Sequence, residues 1–175
     1  MVVEHQGIRP AIDGQAFIAP TAVLIGDVGI GEGSSVWYNT VIRGDRTAIR
    51  IGRNTNIQDN CTVHSDPPYT VFIGDNVSVG HNSVIHGATV EDDCLIGMGA
   101  VVMNGAVVKK GSIVASGSVV RQGQVIGPYQ LVAGVPASLK KELGVQDALE
   151  NLDNAMIYVK PVSYTHLTLP TNYSV

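Results

Sequence analysis

Aliphatic residues recur six apart along most of this chain, a period that suits neither an α-helix, at 3.6, nor a simple hairpin sheet, at 2. The runs are Ile18, Leu24, Ile30, Val36 and Ile42; Ile51, Ile57 and Val63; Ile73, Val79 and Ile85; and Val90, Ile96, Val102, Val108, Val114, Val120, Ile126 and Val132. Two residues before many of them stands a small or β-branched residue, as at Ala22, Ser34, Thr40, Thr55, Cys61, Ser83, Ala100, Ala106 and Ser112, and Gly often follows. A short fixed repeat with Gly at turn positions predicts an all-β solenoid, a parallel β-helix in which each six-residue unit is one face and three faces close a coil. The 175 residues, 45% of them hydrophobic, suit one soluble domain of about six coils.

Counting in threes predicts neighbours in space. Ile42, Val63, Ile85 and Val102 fall in one column, with coils about 4.8 Å apart. The residues just after them are Arg43, His64, His86 and Met103, which point outward because side chains alternate along a strand. His64 and His86 therefore stack on one outer face with Arg43 below. His81 lies two residues after Val79, in a column that also holds Tyr38, Asp59 and Met98, so it belongs to another face.

The repeat is interrupted three times, always on leaving the His64 and His86 column. The step from Ile42 to Ile51 has three extra residues, that from Val63 to Ile73 has four, and that from Ile85 to Val90 is one short. The segments GDRTA and SDPPYT are thus expected to protrude as loops from one corner beside the histidines, and loops on a rigid scaffold are where binding residues are usually placed.

Stacked histidines point to a metal. Neutral imidazoles suit Zn²⁺, and three protein ligands with an open fourth position is the catalytic arrangement. One chain cannot easily aim His64, His81 and His86 at one point, so a symmetric homo-oligomer with metal sites at its interfaces is expected. His5 and His166 are read as solvated.

The segments VIRGD (41–45), IGRNTNIQDNCTVH (51–64), IGDNVSVGHNSVIHG (73–87) and CLIGMGAVV (94–102) resemble the γ-class carbonic anhydrase family. The resemblance covers most of residues 8–160. It implies a left-handed β-helix, a hand that departs from the usual right-handed crossover. It implies a homotrimer with metal ligands His64 and His86 from one subunit and His81 from its neighbour, surrounded by Arg43, Asp45, Asn56, Gln58 and Asp59. Gln58 would orient the hydroxide, Asn56 support the pocket, and Arg43 with Asp45 and Asp59 form an ion-pair network across the interface. The family also brings a helix tyrosine near the site, a place Tyr158 matches. The implied reaction is reversible hydration of CO₂ to bicarbonate by a zinc-bound hydroxide, with Fe²⁺ or Co²⁺ as alternative metals.

One departure bears on rate. The best-characterised members carry a glutamate after the RxD motif and a long acidic loop between the first two ligand histidines. This chain has Arg46 at the first place and only SDPPYT at the second, with Asp66 its sole acid, so weak hydration is expected. Two other readings stay open: a metal-dependent acyl-CoA thioesterase on the same scaffold, and a hexapeptide acyltransferase, whose members share the repeat and an ending like AGVPA.

The rest of the chain frames this core. A net charge of −4 offers no basic surface for nucleic acid. MVVEHQG has neither a basic region nor an apolar stretch, so neither a secretory signal nor a membrane contact is expected, and Cys61 and Cys94, at small inward positions, read as buried free thiols of a cytoplasmic protein. Trp37 and Tyr38 are expected as an outward interface pair. Leu149, Leu152, Met156 and Val159 follow helical spacing, so helix is expected over 138–143 and 146–159, within a single domain of residues 1–160. The tail over 161–175 has neither repeat nor periodicity and resembles an extraneous read-through end.

Overall fold

The computed structural model describes residues 1–159, and the expected tail over 161–175 lies outside them. The six-residue period produces the predicted β-solenoid. Of the nineteen repeat aliphatics all but Ile18 are buried, and Ile18, at the open first coil, still packs against the core. The small residues two positions earlier, from Ala22 to Ser112, are buried too, because each lies on the inside of a corner. The residue just before them turns the chain in the left-handed region: Asn39, Asn60 and Asn82 in earlier coils, Gly99, Gly105 and Gly117 in later ones. Asn is the side chain that tolerates this conformation best after Gly.

The first face is built from the leading halves of Val23–Ile30 and Val41–Ile51, then Thr62–His64, Val84–His86, Val101–Val102 and Val119–Val120. The trailing halves of the two long strands turn onto the second face, followed by Val71–Ile73, Thr89–Val90, Val107–Val108 and Val125–Ile126. The third face is a separate eight-stranded sheet running from Phe17–Ile18 to Ser138–Glu142. Pairing is parallel and in the expected register, Ile42 on Val63, Val63 on Ile85 and Ile85 on Val102.

The segment GDRTA is not a free loop. It lies within Val41–Ile51, which stays paired with Val23–Ile30 on both sides of a register shift between Gly26 and Val28. The strands touch closely before that shift: a Cβ on Gly26, which has φ of 72°, would sit 2.5 Å from the Gly44 carbonyl oxygen. The extra residues are therefore taken up as a bulge that carries Asp45 and Arg46 outward.

Two further corrections concern the C-terminal part. Residues 138–143 are not helix: Ser138–Glu142 is a strand, antiparallel to Gln130–Ala133. The last coil leaves an open sheet edge, and covering it outweighs the helical preference of SLKKEL. A single helix, α1 (Val145–Val159), follows, with Asp147 accepting a hydrogen bond from Gly144 N at 2.7 Å in the first turn. Of the expected stripe, Leu152, Met156 and Val159 are half-buried and Leu149 is not, and the most buried positions are polar or small. Asn151 and Ala155 are buried, whereas Leu149 is 47% exposed. The third face presents polar groups where the helix lands, so amides dock it: Asn151 Nδ2 donates to the Asp93 carbonyl at 3.3 Å, and Asn154 Oδ1 accepts from Ser78 Oγ at 3.1 Å. Trp37 is covered by its own chain, between Phe17 and Tyr158 with ring centroids at 5.4 and 5.8 Å.

No helix among the described residues is long and apolar enough to cross a membrane. Cys61 and Cys94 are buried free thiols. Burial pushes Cys61 up to about 11 and Cys94 up to about 12, from an ordinary 9.0. The folded chain thus holds these protons at pH values where the unfolded chain releases them. The stability they contribute is complete below pH 9 and lost as pH rises through 11 to 12. The denaturation midpoint is expected to fall above pH 9 with a slope of about 1.4 kcal/mol per pH unit for each thiol. A double Cys61→Ala and Cys94→Ala variant should show a visibly flatter decline, and equal slopes in the two proteins would refute the assignment.

Candidate metal centre

Stacking of successive coils sets the first half of the site. Arg43 pairs in register with His64, and His64 with His86. His64 Nδ1 and His86 Nε2 face one another at 3.1 Å. The opposite nitrogen of each ring is engaged: His64 Nε2 lies 3.0 Å from Asp45 Oδ1, and His86 Nδ1 lies 2.6 Å from Asn104 Oδ1. If those outer nitrogens donate, the two inner ones turn lone pairs toward each other, an arrangement that a shared proton or a metal ion between them would satisfy. Two ligands about 2.0–2.1 Å from a tetrahedral ion stand roughly 3.3 Å apart, close to the separation found. The donor set therefore fits a divalent ion.

Asp45 is held in turn by Arg43, whose Nη1 donates to Oδ2 at 2.6 Å. Burial alone would raise the Asp45 carboxyl. The hydrogen bonds from Arg43 and His64, with the Arg43 charge, outweigh that and hold it below its ordinary range. Carboxylate partners of this kind fix the tautomer of a ligating imidazole. Asn104 reaches His86 only because residue 87 is glycine: a Cβ there would lie 2.5 Å from Asn104 Oδ1.

The second half lies on the third face and its corner. His81 Nδ1 is 2.9 Å from Asp59 Oδ2, so this imidazole too has one nitrogen against a carboxylate and the other free. Gln58 Nε2 donates to Asn56 Oδ1 at 3.1 Å, and Asn56 Nδ2 donates to Ser78 Oγ at 2.8 Å, the group that also ties down α1. Gln58, His81, Leu95, Met98, Asn154 and Tyr158 line a cavity of about 280 Å³. Asn56 and Gln58 are buried.

The expected residues therefore form two groups. Arg43, Asp45, His64 and His86 meet on the first face; Asn56, Gln58, Asp59, His81 and Tyr158 meet on the third. His81 does not join the other histidines within the chain, and Asp59 pairs with His81 and not with Arg43. The carboxylate that does accompany His64 and His86 is Asp66, the three offering ligand atoms within 4.8 Å of one another. Sequence reasoning missed Asn104 and the links through Ser78 and Asn154. Asn104 lies one residue past Met103, the position the column count stacks on His86, so that count stops just short of it.

The fold defines a hexapeptide-repeat protein whose candidate site residues lie in two separate groups. Comparison with known proteins agrees: a model for the hexapeptide repeat of succinyl-transferase matches residues 70–104 and 87–122. The chain is 57% identical over 143 residues, 82% of its length, to a Methanocaldococcus jannaschii protein named "Probable carbonic anhydrase", of which it covers 90%. It is 50% identical over 101 residues to the mitochondrial gamma carbonic anhydrase 1 of Arabidopsis thaliana, covering 54% of this chain and 37% of that one. Among solved structures, a hexapeptide transferase family protein from Anaplasma phagocytophilum superposes with a TM-score of 0.90 at 37% identity, covering 94% of this chain and 97% of that one. The chain belongs to the γ-class carbonic anhydrase family.

If Asp45 orients His64, Asp45→Ala should lower Zn²⁺ affinity by about 10- to 100-fold with the circular dichroism spectrum unchanged. Competition with a fluorescent chelator measures this. An affinity within twofold of the parent would show that the carboxylate has no such part.

Proposed function

We propose that the protein is a metal-dependent carbonic anhydrase that interconverts CO₂ and bicarbonate, acting as a homotrimer with Zn²⁺ held by His64 and His86 of one subunit and His81 of the next. The observation that carries this reading is common to the three histidines. Each has one ring nitrogen against an oxygen acceptor, Asp45, Asn104 or Asp59, which leaves the opposite nitrogen as the one to ligate, those of His64 and His86 facing one another at 3.1 Å. Fe²⁺ or Co²⁺ suits the same donors.

When bound, the ion supplies Lewis acidity that makes water a nucleophile near neutral pH. The protein's part is to orient and to exclude. With its Nε2 committed to Asn56, Gln58 keeps Oε1 as an acceptor that can orient a hydroxyl beside His81. Leu95, Ile96 and Met98 give the same cavity an apolar wall suited to CO₂, with Tyr158 at its edge. Arg43 and Asp45 hold His64 in place. The acyltransferase reading draws on the transferase neighbour, but the three matching histidine environments favour metal chemistry. Hydration and acyl-CoA turnover, assayed on one metal-loaded sample, separate the two. Activity that survives removal of the metal by a chelator would overturn the proposal.

Because His81 belongs to the other face, a shared site gives a subunit-mixing result. His81→Ala and His64→Ala should each lose three-histidine sites, and mixed oligomers of the two should regain some, since one subunit's normal His81 can meet the other's normal His64. Light scattering should report a trimer. A stable monomer with full metal content and full activity would exclude the shared site.

Proton removal is expected to limit turnover. Asp66, the sole acid of its loop, is engaged by Arg46 Nε at 2.8 Å. High concentrations of imidazole buffer should raise kcat and leave kcat/KM for CO₂ nearly unchanged, because that ratio excludes the later proton step. Arg46→Glu should move kcat in the same direction. If neither raises kcat in fully metallated protein, proton transfer is not the slow step.

A further inference from the structure

Asp45 stands behind His64, and among the described residues a second carboxylate, Asp66, lies on the inner side of the His64 and His86 pair. Its Oδ2 lies 3.9 Å from His86 Nε2, while its Oδ1 is occupied by Arg46 Nε at 2.8 Å. The carboxylate is thus oriented by a partner on one oxygen and presents the other toward the inner imidazole nitrogens, as Asp45, held by Arg43, presents its free oxygen to His64.

The segment that carries Asp66 is fastened at both ends. Ser65 Oγ hydrogen bonds to Thr47 Oγ1 and donates to the Tyr69 carbonyl, and Tyr69 N donates to the Asp66 carbonyl at 3.0 Å. The Tyr69 ring lies along the corner over Gly105, where a Cβ would come within 2.9 Å of it, and the Tyr69 hydroxyl accepts from Gln122 Nε2 at 3.4 Å. Ser65 is buried, so Asp66 is presented by an anchored segment.

We infer that His64, His86 and Asp66 form a second ligand set, two histidines and one carboxylate, that lets a single chain take up a divalent ion before the partner's His81 arrives. This rests on the metal reading above and deepens it. Oδ2 is 3.9 Å from His86 Nε2 and the three ligand atoms lie within 4.8 Å of one another, so reaching the roughly 3.0–3.3 Å that separates neighbouring ligands of one ion requires a shift of about 1–2 Å. Two imidazoles and one carboxylate are a donor set that would hold a divalent ion and would leave room for the partner's His81. On this account metal uptake does not wait for the interface to close, and the Asp66 segment is a loading device for the site.

The test uses the full chain, freed of metal by a chelator and titrated with Co²⁺, read by visible absorption and by metal analysis. His81→Ala should still bind one Co²⁺ per chain, more weakly than the parent and with a spectrum of higher coordination number. His81→Ala with Asp66→Asn should bind more than about 100-fold more weakly still, since even a residue that only orients a ligand is worth about 10- to 100-fold. Asp66→Asn alone should reach parental stoichiometry but load more slowly in stopped flow. His81→Gln serves as a second background, and circular dichroism checks folding in each. Equal Co²⁺ binding by the single and double variants would overturn Asp66 as a ligand. A loaded parent beside a His81→Ala variant that binds none would equally overturn single-chain uptake, with the three-histidine reading intact. A parent that binds no Co²⁺ would sink that reading itself.

Discussion

Every feature of the site depends on the register in which one coil lies on the next. Backbone hydrogen bonds running along the solenoid axis set it: Val41 N donates to the Cys61 carbonyl, Thr62 N to Ser83 and Val84 N to Ala100, at 2.9 to 3.0 Å. A slip of one residue would turn each strand inside out, placing imidazoles in the core and aliphatics in water. Since Ile42, Val63, Ile85 and Val102 have no solvent exposure at all, that error is strongly disfavoured. The same burial that stabilises the prism therefore aligns His64 with His86. A core substitution that shifts one coil would also shift His64 against His86.

Irregularity is confined to where it is useful. A strict repeat can place side chains only in rows, whereas a metal ligand needs partners arriving from several directions. The bulge within Val41–Ile51 brings Asp45 back to His64, and the 65–70 insertion brings Asp66 to His86. The shortened step at Gly87 opens room for Asn104. On the third face a supporting group comes from α1. Its Asn154 holds Ser78, which holds Asn56, which holds Gln58, so the docking of α1 reaches the cavity through consecutive hydrogen bonds.

What the sequence made legible follows from this division. The period, the columns, the separation of His81 from His64 and His86, and the corner of the insertions could all be counted, because inward aliphatics at six-residue spacing have one consistent solution. The counting failed where the period stops. SLKKEL reads as helix by composition, but its conformation is decided by an unpaired sheet edge formed eight residues earlier. The helix stripe failed in part for a related reason: α1 docks on a polar patch, so Asn151 and Ala155 are buried where Leu149 was expected. Asp59 went to His81 and not to Arg43 because it shares a column with the former, a fact the column count already contained.

The divided site ties metal binding to assembly on the proposed reading. Each half is rigid and already oriented, so little conformational entropy is lost when two subunits bring the halves together. The ion then contributes to the interface whatever affinity the third histidine adds, and by linkage the interface contributes the same amount to the ion. On that reading groups behind the ligands, such as Asn104 behind His86 or Asp59 behind His81, act on both at once, since misorienting either imidazole weakens the ligation that joins the halves. A repeat protein built from interchangeable coils thereby acquires one position at which coils of different subunits are not interchangeable, and the insertions beside it are what make that position specific.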